Sequence, residues 1–211
     1  MTEPLDAVKA IHNAFRNDMK HIDAAAHESA RGNKALKLTA ERLRLFNEVL
    51  VFHANGEEKA VFPALESVAP CVAEAYEMDH RGLDAAADAL SAAVAADDPL
   101  VTARASSALK FHLDMHLDKE DAHLYRLFRE RISMADQGKI TGIMANEIPP
   151  DRQAEFMMWL YPLLDHNDRE NMARIMQMVM PPEVFARVKL LIQKAIGDDW
   201  PELVKRIPSL V

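Results

Sequence analysis

The chain has few of the residues that build disulfide frameworks, tight turns and sheets. Its single cysteine, Cys71, excludes an intrachain disulfide and any cysteine-based zinc or iron–sulfur site. Only six glycines occur in 211 residues, and no alternating run rich in Val, Ile and Thr suggests a strand. The helix-favouring residues Ala, Leu, Met, Glu and Lys are abundant instead. The composition therefore predicts an all-α protein.

Charge and hydropathy restrict the partners that the chain is expected to have. The net charge is −8 and no basic stripe is present, which argues against binding to nucleic acid. No run of 18 apolar residues occurs, and the N-terminal segment lacks a basic stretch followed by an apolar one. We therefore expect no membrane association and a cytoplasmic location.

Hydrophobic periodicity predicts four long helices in the first two thirds of the chain. They are expected over about residues 4–28, 33–65, 70–96 and 99–134. Short joins between long helices predict an antiparallel up-down four-helix bundle. Gly56 lies within the second helix, where it is expected to leave room for a small ligand.

The last third of the chain has a different composition. Breakers are expected at residues 136–139 and 148–150, followed by shorter helices. We predict two parts, a bundle over 1–135 and a helical extension over 136–211 that packs on it. Seven methionines concentrate in the extension, and they can serve either as core packing or as the surface of a homodimer or protein complex. They are Met144, Met157, Met158, Met172, Met176, Met178 and Met180.

The fourth predicted helix carries an unusual polar stripe. Its segment KFHLDMHLDKEDAHLYR, residues 110–126, places ligand-type side chains at spacings of four, four and three, near one helical face. These side chains are His112, His116, Glu120 and His123. Imidazole nitrogen and carboxylate oxygen are donors that iron, zinc and manganese accept. A metal would also satisfy a carboxylate that faces a core, which is costly otherwise.

The other three helices offer matching donors on apolar faces. His12 lies on the first helix, His53 and Glu57 form an i, i+4 pair on the second, and His80 lies on the third. Taken singly, each fits a hydrogen-bonded core residue or a local pair worth a few tenths of a kcal/mol. At about 1.5 Å of rise per residue, antiparallel packing brings all of them to one level. A shared metal site explains this coincidence better than separate accidents.

The four segments together resemble the hemerythrin-like, HHE cation-binding domain. The matching segments are HNAFRNDM, HANGEEKAVFPAL, DHRGLDAAADAL and HLDKEDAHLYRLF, and the resemblance covers about residues 5–133. It implies a four-helix bundle around two non-heme irons, bridged by carboxylates with or without an oxo group. The implied ligands are His12, His53, Glu57, His80, His116 and Glu120, with the two glutamates as bridges.

Two departures separate the chain from the oxygen-carrying hemerythrins. Tyr76 stands where the carriers have a second histidine on the third helix, and the fourth helix reads HxxxE rather than HxxxxD. The pattern is more similar to the regulatory HHE branch, which includes iron-sensing ubiquitin-ligase domains. One iron would then keep a vacancy, a water or a replacement ligand, and Tyr76 is an outer hydrogen-bonding, redox or core residue. The candidates for replacement are Glu58, Glu77, Asp84 and His112.

These patterns leave several functions open. The first is a di-iron protein that binds O₂, NO or peroxide as a sensor, store or scavenger. The alternatives are a di-iron oxidase or peroxidase with the same ligands, and a metal-free helical interaction module. Zinc alone is less consistent with the pattern, because zinc favours four donors and six converge here. Asp18 and Arg16 are expected to be surface groups. For Glu58 and Asp121, the alternative to a role at the site is a solvated flank.

Overall fold

Long helices form over the first two thirds of the chain, as the hydrophobic periodicity predicts. The computed structural model describes residues 3–32 and 36–210, and no strand occurs among them. The helices are α1 (Asp6–Ala30), α2 (Lys37–Gly56), α3 (Phe62–Val68), α4 (Ala73–Ala95), α5 (Pro99–Lys119) and α6 (Tyr125–Arg131). The predicted beginning of the second helix at Asn33 lies outside the described residues. The predicted all-α helical bundle is confirmed.

Two π-helical segments of five residues join pairs of these helices into continuous rods. Glu57–Val61 connects α2 to α3, and Glu120–Leu124 connects α5 to α6. A π turn holds more residues than an α turn, so the side chains that follow it are rotated about the rod axis. The bundle is thus built from four rods: α1, α2–α3, α4 and α5–α6.

The four rods enclose a common interior. α1 packs against α2 and α5, and α4 packs against the same two helices. Phe15, Phe46, Leu90, Leu109 and Leu113 are fully buried between them, and burial of each such side chain contributes roughly 1.5–3 kcal/mol. The interior is therefore a close-packed apolar core in which any polar layer stands out.

The extension contains more helix than the sequence predicts. It consists of α7 (Met134–Ala145), α8 (Gln153–Leu163), α9 (His166–Val179), α10 (Pro182–Ile196) and α11 (Trp200–Arg206), with 3₁₀ turns at Gly197–Asp199 and Pro208–Leu210. The predicted break over 136–139 is wrong, because these residues lie inside α7. The Ser133 hydroxyl caps this helix by accepting from the backbone N–H of Asp136 at 3.2 Å. Gly138 has open space around it and so costs only helix propensity.

The extension packs on the bundle and shares its core. α8 and α9 contact α1, and Leu160 and Tyr161 join the same apolar cluster as Phe15. The division of the chain at residue 135 stays a prediction. Met157 and Met172 are buried in the shared core, whereas Met158 and Met178 are exposed, so the methionines serve mainly as packing. None of the described helices is long and apolar enough to cross a bilayer.

Candidate metal centre

Two groups of four ligand-type side chains meet inside the bundle. In each group, one ligand atom per residue lies within 4.8 Å of the others, and every member is buried. The first group is His12, His53, Glu57 and Glu120, and the second is His80, His116 and the same two glutamates. The structure therefore brings together all six residues that the sequence predicts as ligands, and both glutamates belong to both groups.

Each rod supplies its share from a defined position. His12 and His80 lie within about the first third of α1 and α4. His53 and His116 lie in the last turn of α2 and α5. Glu57 and Glu120 are each the first residue of a π segment, one turn after the histidine of the same rod. π segments are frequent at functional sites, and here they begin at the two shared carboxylates.

The ligand atoms of the first group lie close to one another. His12 Nε2 lies 3.1 Å from His53 Nε2 and 3.5 Å from Glu120 Oε2. His53 Nε2 lies 3.3 Å from Glu57 Oε1. Two imidazole nitrogens and two carboxylates thus point at one small volume.

The second group repeats this arrangement on the other side of the glutamates. His80 Nε2 lies 3.4 Å from Glu57 Oε2, and His116 Nε2 lies 3.4 Å from Glu120 Oε2. The two imidazole rings are 4.9 Å apart between centroids. All four histidines therefore direct Nε2 inward, toward a pair of carboxylates that lie between them.

The carboxylates lack the hydrogen bonds that burial normally requires. Glu57 and Glu120 are fully buried, yet Glu57 Oε2 and both oxygens of Glu120 have no hydrogen-bond donor among the described residues. Each such group costs about 1–3 kcal/mol. A cation bound between the imidazoles would satisfy these oxygens, so the donor set fits a metal site.

The two glutamates respond differently to their surroundings. Burial alone would raise the pKa of Glu57, but the neighbouring His53 and His80 outweigh it and hold the pKa well below its usual range. Burial raises the pKa of Glu120 well above its usual range, and repulsion by Glu57 adds to the effect. Without a cation, two carboxylates this close do not both ionise easily.

The histidines also differ in the direction in which their surroundings shift the pKa. Burial lowers the pKa of His116 to about 4. Burial also lowers the pKa of His12, although the hydrogen bond that His12 donates to Asp121 acts in the opposite direction. Burial would lower the pKa of His80 as well, but the neighbouring carboxylates of Glu57 and Glu58 raise it. His12 and His116 are therefore biased to the neutral form, which is the form that binds metals.

Outer carboxylates orient two of the imidazoles. His12 Nδ1 donates to Asp121 Oδ1 at 2.9 Å, and Asp121 is itself held by Lys9 and Arg16, each at 2.9 Å. The prediction that Asp121 is a solvated flank is therefore wrong. The outer hydrogen bond leaves Nε2 of His12 free to face the centre, an arrangement typical of metal-bound histidines.

Glu58 plays the corresponding part for the second group. Its Oε1 accepts from His80 Nδ1 at 2.9 Å, on the side of the ring that faces away from the glutamates. The structure thus places Glu58 outside the cluster rather than among its donors. Asp79 Oδ2 lies 3.7 Å from His116 Nδ1 and forms an ion pair with Lys119.

A buried tyrosine that sequence reasoning missed contacts the cluster directly. The Tyr125 hydroxyl donates to Glu57 Oε1, and the ring lies 5.6 Å from His12 between centroids. Burial raises the pKa of Tyr125 well above its usual range, so the phenol keeps its proton and remains a donor. Tyr125 follows Glu120 by five residues, which is the spacing that one π turn brings to a single face.

Tyr76 is placed differently. Its hydroxyl donates to the Lys119 carbonyl at 3.5 Å, and its ring packs against Phe62. Burial, and then the nearby Glu120, raise the pKa of Tyr76 to about 12. The structure thus gives this tyrosine a backbone hydrogen bond and a place in the core.

The remaining candidates lie outside the cluster. His112, His123 and Asp84 are exposed, and Glu77 is half-buried. A step of four residues turns a helix by about 40°, which takes His112 to the outer edge of α5. His123 lies in the π segment, where the i+3 position no longer follows the α-helical face.

Gly56 has a different role from the one expected. A Cβ at this position would lie 3.0 Å from both Cα and Cβ of Met144. The absence of a side chain thus lets α7 approach the rod one residue before Glu57. The space beside Gly56 is therefore filled by Met144 of the extension and is not available to a small ligand.

A model of one protein family matches the chain. The hemerythrin HHE cation-binding domain matches residues 3–98. The predicted resemblance to this family is confirmed over residues 3–98. The match covers α1 to α4 with His12, His53, Glu57 and His80, while His116 and Glu120 lie beyond it and join the site through the geometry of α5. The match and the buried cluster of histidines and glutamates together support metal binding.

The curated relatives come from Arabidopsis thaliana. Zinc finger protein BRUTUS is 26% identical over 179 residues, covering 82% of this chain and 14% of the relative. Two BRUTUS-like zinc finger proteins are 22% and 20% identical, covering 75% and 79% of this chain. The chain spans only 14–15% of the length of these relatives. No solved structure matches the chain significantly.

Proposed function

We propose that this hemerythrin domain holds two non-heme irons and binds a small molecule such as O₂, NO or peroxide, as a sensor, store or scavenger. The proposed ligands are His12, His53, Glu57, His80, His116 and Glu120. The observation that carries the proposal is the sharing of Glu57 and Glu120 between two otherwise separate pairs of histidines.

The number and type of donors favour two metals of intermediate softness. Six inward-facing donors exceed the four that a single structural zinc uses. Each pair of imidazoles with two shared carboxylates suits iron, which accepts nitrogen and oxygen donors together and leaves positions for a further ligand. Zinc or manganese in the same positions is the competing occupancy.

The chain's own residues would orient the donors and protect them. Asp121 and Glu58 hold the outer nitrogens of His12 and His80, which fixes the direction of Nε2 in each ring. The Tyr125 hydroxyl holds one oxygen of Glu57 in place. When bound, the irons would supply the redox chemistry and the coordination of the small molecule.

The immediate surroundings favour a small ligand. A narrow pocket reaches three of the imidazoles from outside. Its lining consists of Leu50, His53, Ala54, His80, Leu83, Asp84, His116 and Leu117. Apart from the imidazoles and Asp84 these side chains are apolar, so the approach to the site would exclude bulk water and admit small neutral molecules most readily.

Iron content is the direct test of this proposal. The full chain, reconstituted anaerobically with ferrous iron and desalted, is expected to retain two irons by elemental analysis. Glu57→Gln and Glu120→Gln are each expected to lose most of both irons, because each carboxylate serves both positions. Glu41→Gln, an exposed substitution on the same rod as Glu57, is the matched control and should keep two.

Spectroscopy then tests the ligand. The loaded protein should change its near-ultraviolet and visible absorption when O₂, NO or peroxide is added, and the metal-free protein should not. Retention of two irons in both glutamine variants would remove the ligand assignment. Full loading with no spectral response to any of the three molecules would remove the small-ligand function while leaving the metal site.

A further inference from the structure

The outward face of α4 and α5 is apolar, in contrast to the acidic character of the chain. Its largest members, Met78, Phe111 and Met115, are exposed by 62%, 62% and 52%. We name it the outer α4–α5 face and define it by Met78, Gly82, Ala85 and Ala89 of α4 with Phe111 and Met115 of α5. Exposed apolar side chains that share one face mark an interaction surface more often than isolated apolar residues do.

The α4 part of this face is free of charge along its centre. Its four members follow at spacings of four, three and four, which keeps them on one side of the helix, and all are exposed. Gly82, Ala85 and Ala89 have small side chains, so another helix can approach the α4 backbone closely. Exposed helix surfaces usually carry charges at such positions.

Contacts inside the bundle set the relative level of the two helices. His80 packs against His116, and Asp79 pairs with Lys119. Because α4 and α5 run antiparallel, Ala85 then lies level with Phe111. The two helices together present an apolar area roughly 20 Å wide and 20 Å long. This flat area of about 400 Å² is about half of the ~800 Å² per partner in a standard stable interface, so a concentration-dependent association is expected.

Charge selects the kind of partner that fits this face. The chain carries a net charge of −8, so two copies repel each other over most of their surfaces. The outer α4–α5 face avoids this repulsion, and its uncharged centre offers nothing to a strongly basic or acidic partner. A second copy of the chain can therefore meet it here without a like-charge penalty.

The flank of the face is self-complementary. Arg81 and Asp88 are exposed on the same edge of α4, and neither forms an ion pair within the part of the chain that the structure describes. A two-fold axis near Ala85 would set α4 antiparallel to its copy. Arg81 of each copy would then lie beside Asp88 of the other, as an isologous interface requires.

We propose that the protein forms a symmetric homodimer through the outer α4–α5 face. The two-fold axis passes near Ala85 and Phe111, the small residues of α4 pack against their counterparts, and two Arg81–Asp88 pairs close one edge. This interface lies outside the metal centre and does not depend on its occupancy.

Sedimentation of the full chain across a range of concentrations tests the dimer. The unmodified protein is expected to show a monomer–dimer equilibrium. Ala85→Arg should raise the dissociation constant at least 100-fold, because it places two like charges at the axis. Ala24→Arg introduces the same charge at an exposed position of α1 and should leave the equilibrium unchanged. Helical content by circular dichroism shows that each variant folds.

Charge exchange tests the symmetry of the interface. Arg81→Asp and Asp88→Arg should each weaken the dimer about tenfold, and the double variant should restore most of the affinity. A chain that stays monomeric at hundreds of micromolar would overturn the proposal. A dimer that tolerates Ala85→Arg would overturn it as well, because it would place the interface on another surface such as the exposed methionines of the extension.

Discussion

Two buried polar clusters in the bundle differ in one decisive respect. Asp18 is fully buried, but Oδ1 accepts from Arg42 and Oδ2 accepts from the Trp159 indole N–H at 2.6 Å. Glu120 is equally buried, and neither of its oxygens has a donor among the described residues. Groups of the chain itself therefore donate hydrogen bonds to Asp18, whereas Glu120 is left without a donor among the described residues.

The difference separates a polar cluster that stabilises the fold from one whose carboxylates are left available to a ligand. The Asp18 cluster ties α8 of the extension to α1 and α2, so it serves the fold. The glutamate cluster has no such internal solution, since the groups that surround it are histidines whose Nε2 atoms point to the same centre. A cation bound between the imidazoles would offset the cost of burying these unsatisfied oxygens.

Metal binding should produce the largest difference in stability between variants of the two clusters. Ferrous iron at about 1,000 times its dissociation constant is expected to raise the free energy of unfolding by about 4 kcal/mol for each iron bound. Glu120→Gln should lose most of this gain, whereas an Asp18 variant should keep it. The check is anaerobic thermal unfolding with and without iron. An equal gain in Glu120→Gln would show that iron binds elsewhere.

Removal of Asp18 should give the next largest effect, on stability alone. Asp18→Ala leaves the Trp159 indole N–H without its acceptor and Arg42 without its carboxylate partner. Because Arg42 is partly exposed and can be solvated, we expect a loss of about 2–4 kcal/mol in chemical denaturation. Iron content per folded chain should remain unchanged. A normal stability combined with lost iron would reverse the roles given to the two clusters.

The outer carboxylate of His12 should have a smaller effect, on metal affinity. Asp121→Asn weakens the acceptor that orients the ring, and such changes typically reduce metal affinity about 10–100-fold. Asp118→Asn is the matched control, because Asp118 contacts the same Arg16 but does not contact His12. Competition with a chelator measures the difference. Equal affinities for the two variants would exclude an orienting role for Asp121.

The smallest effect concerns the contact between the extension and the rod that carries Glu57. Gly138→Ala has open space and should stabilise the protein by about 1 kcal/mol through helix propensity. Gly56→Ala meets the backbone of Met144 and should instead destabilise it by roughly 1 kcal/mol. Thermal unfolding of both variants gives the comparison. Stabilisation by both substitutions would mean that α7 can move away from residue 56 at no cost in free energy.

Periodicity and spacing predict the four rods and bring the six candidate ligands together. They succeed because apolar faces fix which side of each helix is buried, and helix length fixes the depth of each residue. They fail at the two π segments, which no propensity indicates. For this reason they do not indicate Tyr125, and they predict an inner face for His123 although it is exposed.

The other errors concern tertiary contacts. Asp18 and Asp121 look like ordinary surface carboxylates until Trp159, or His12 with Arg16, is seen to contact them. Residues 136–139 contain a glycine and polar groups, yet they form helix because Ser133 caps it and α7 packs on the π segment of the second rod. Long-range partners of this kind leave no periodic signal in the sequence.

The stability of a Glu120→Leu variant without metal tests the central claim most directly. If the glutamate cluster is unsatisfied in the absence of metal, replacing this buried carboxyl with an apolar side chain should leave the free energy of unfolding unchanged or raise it. The same variant should fail to gain stability when iron is added. A loss of several kcal/mol in the metal-free variant would show that the chain itself satisfies Glu120, and it would contradict the account.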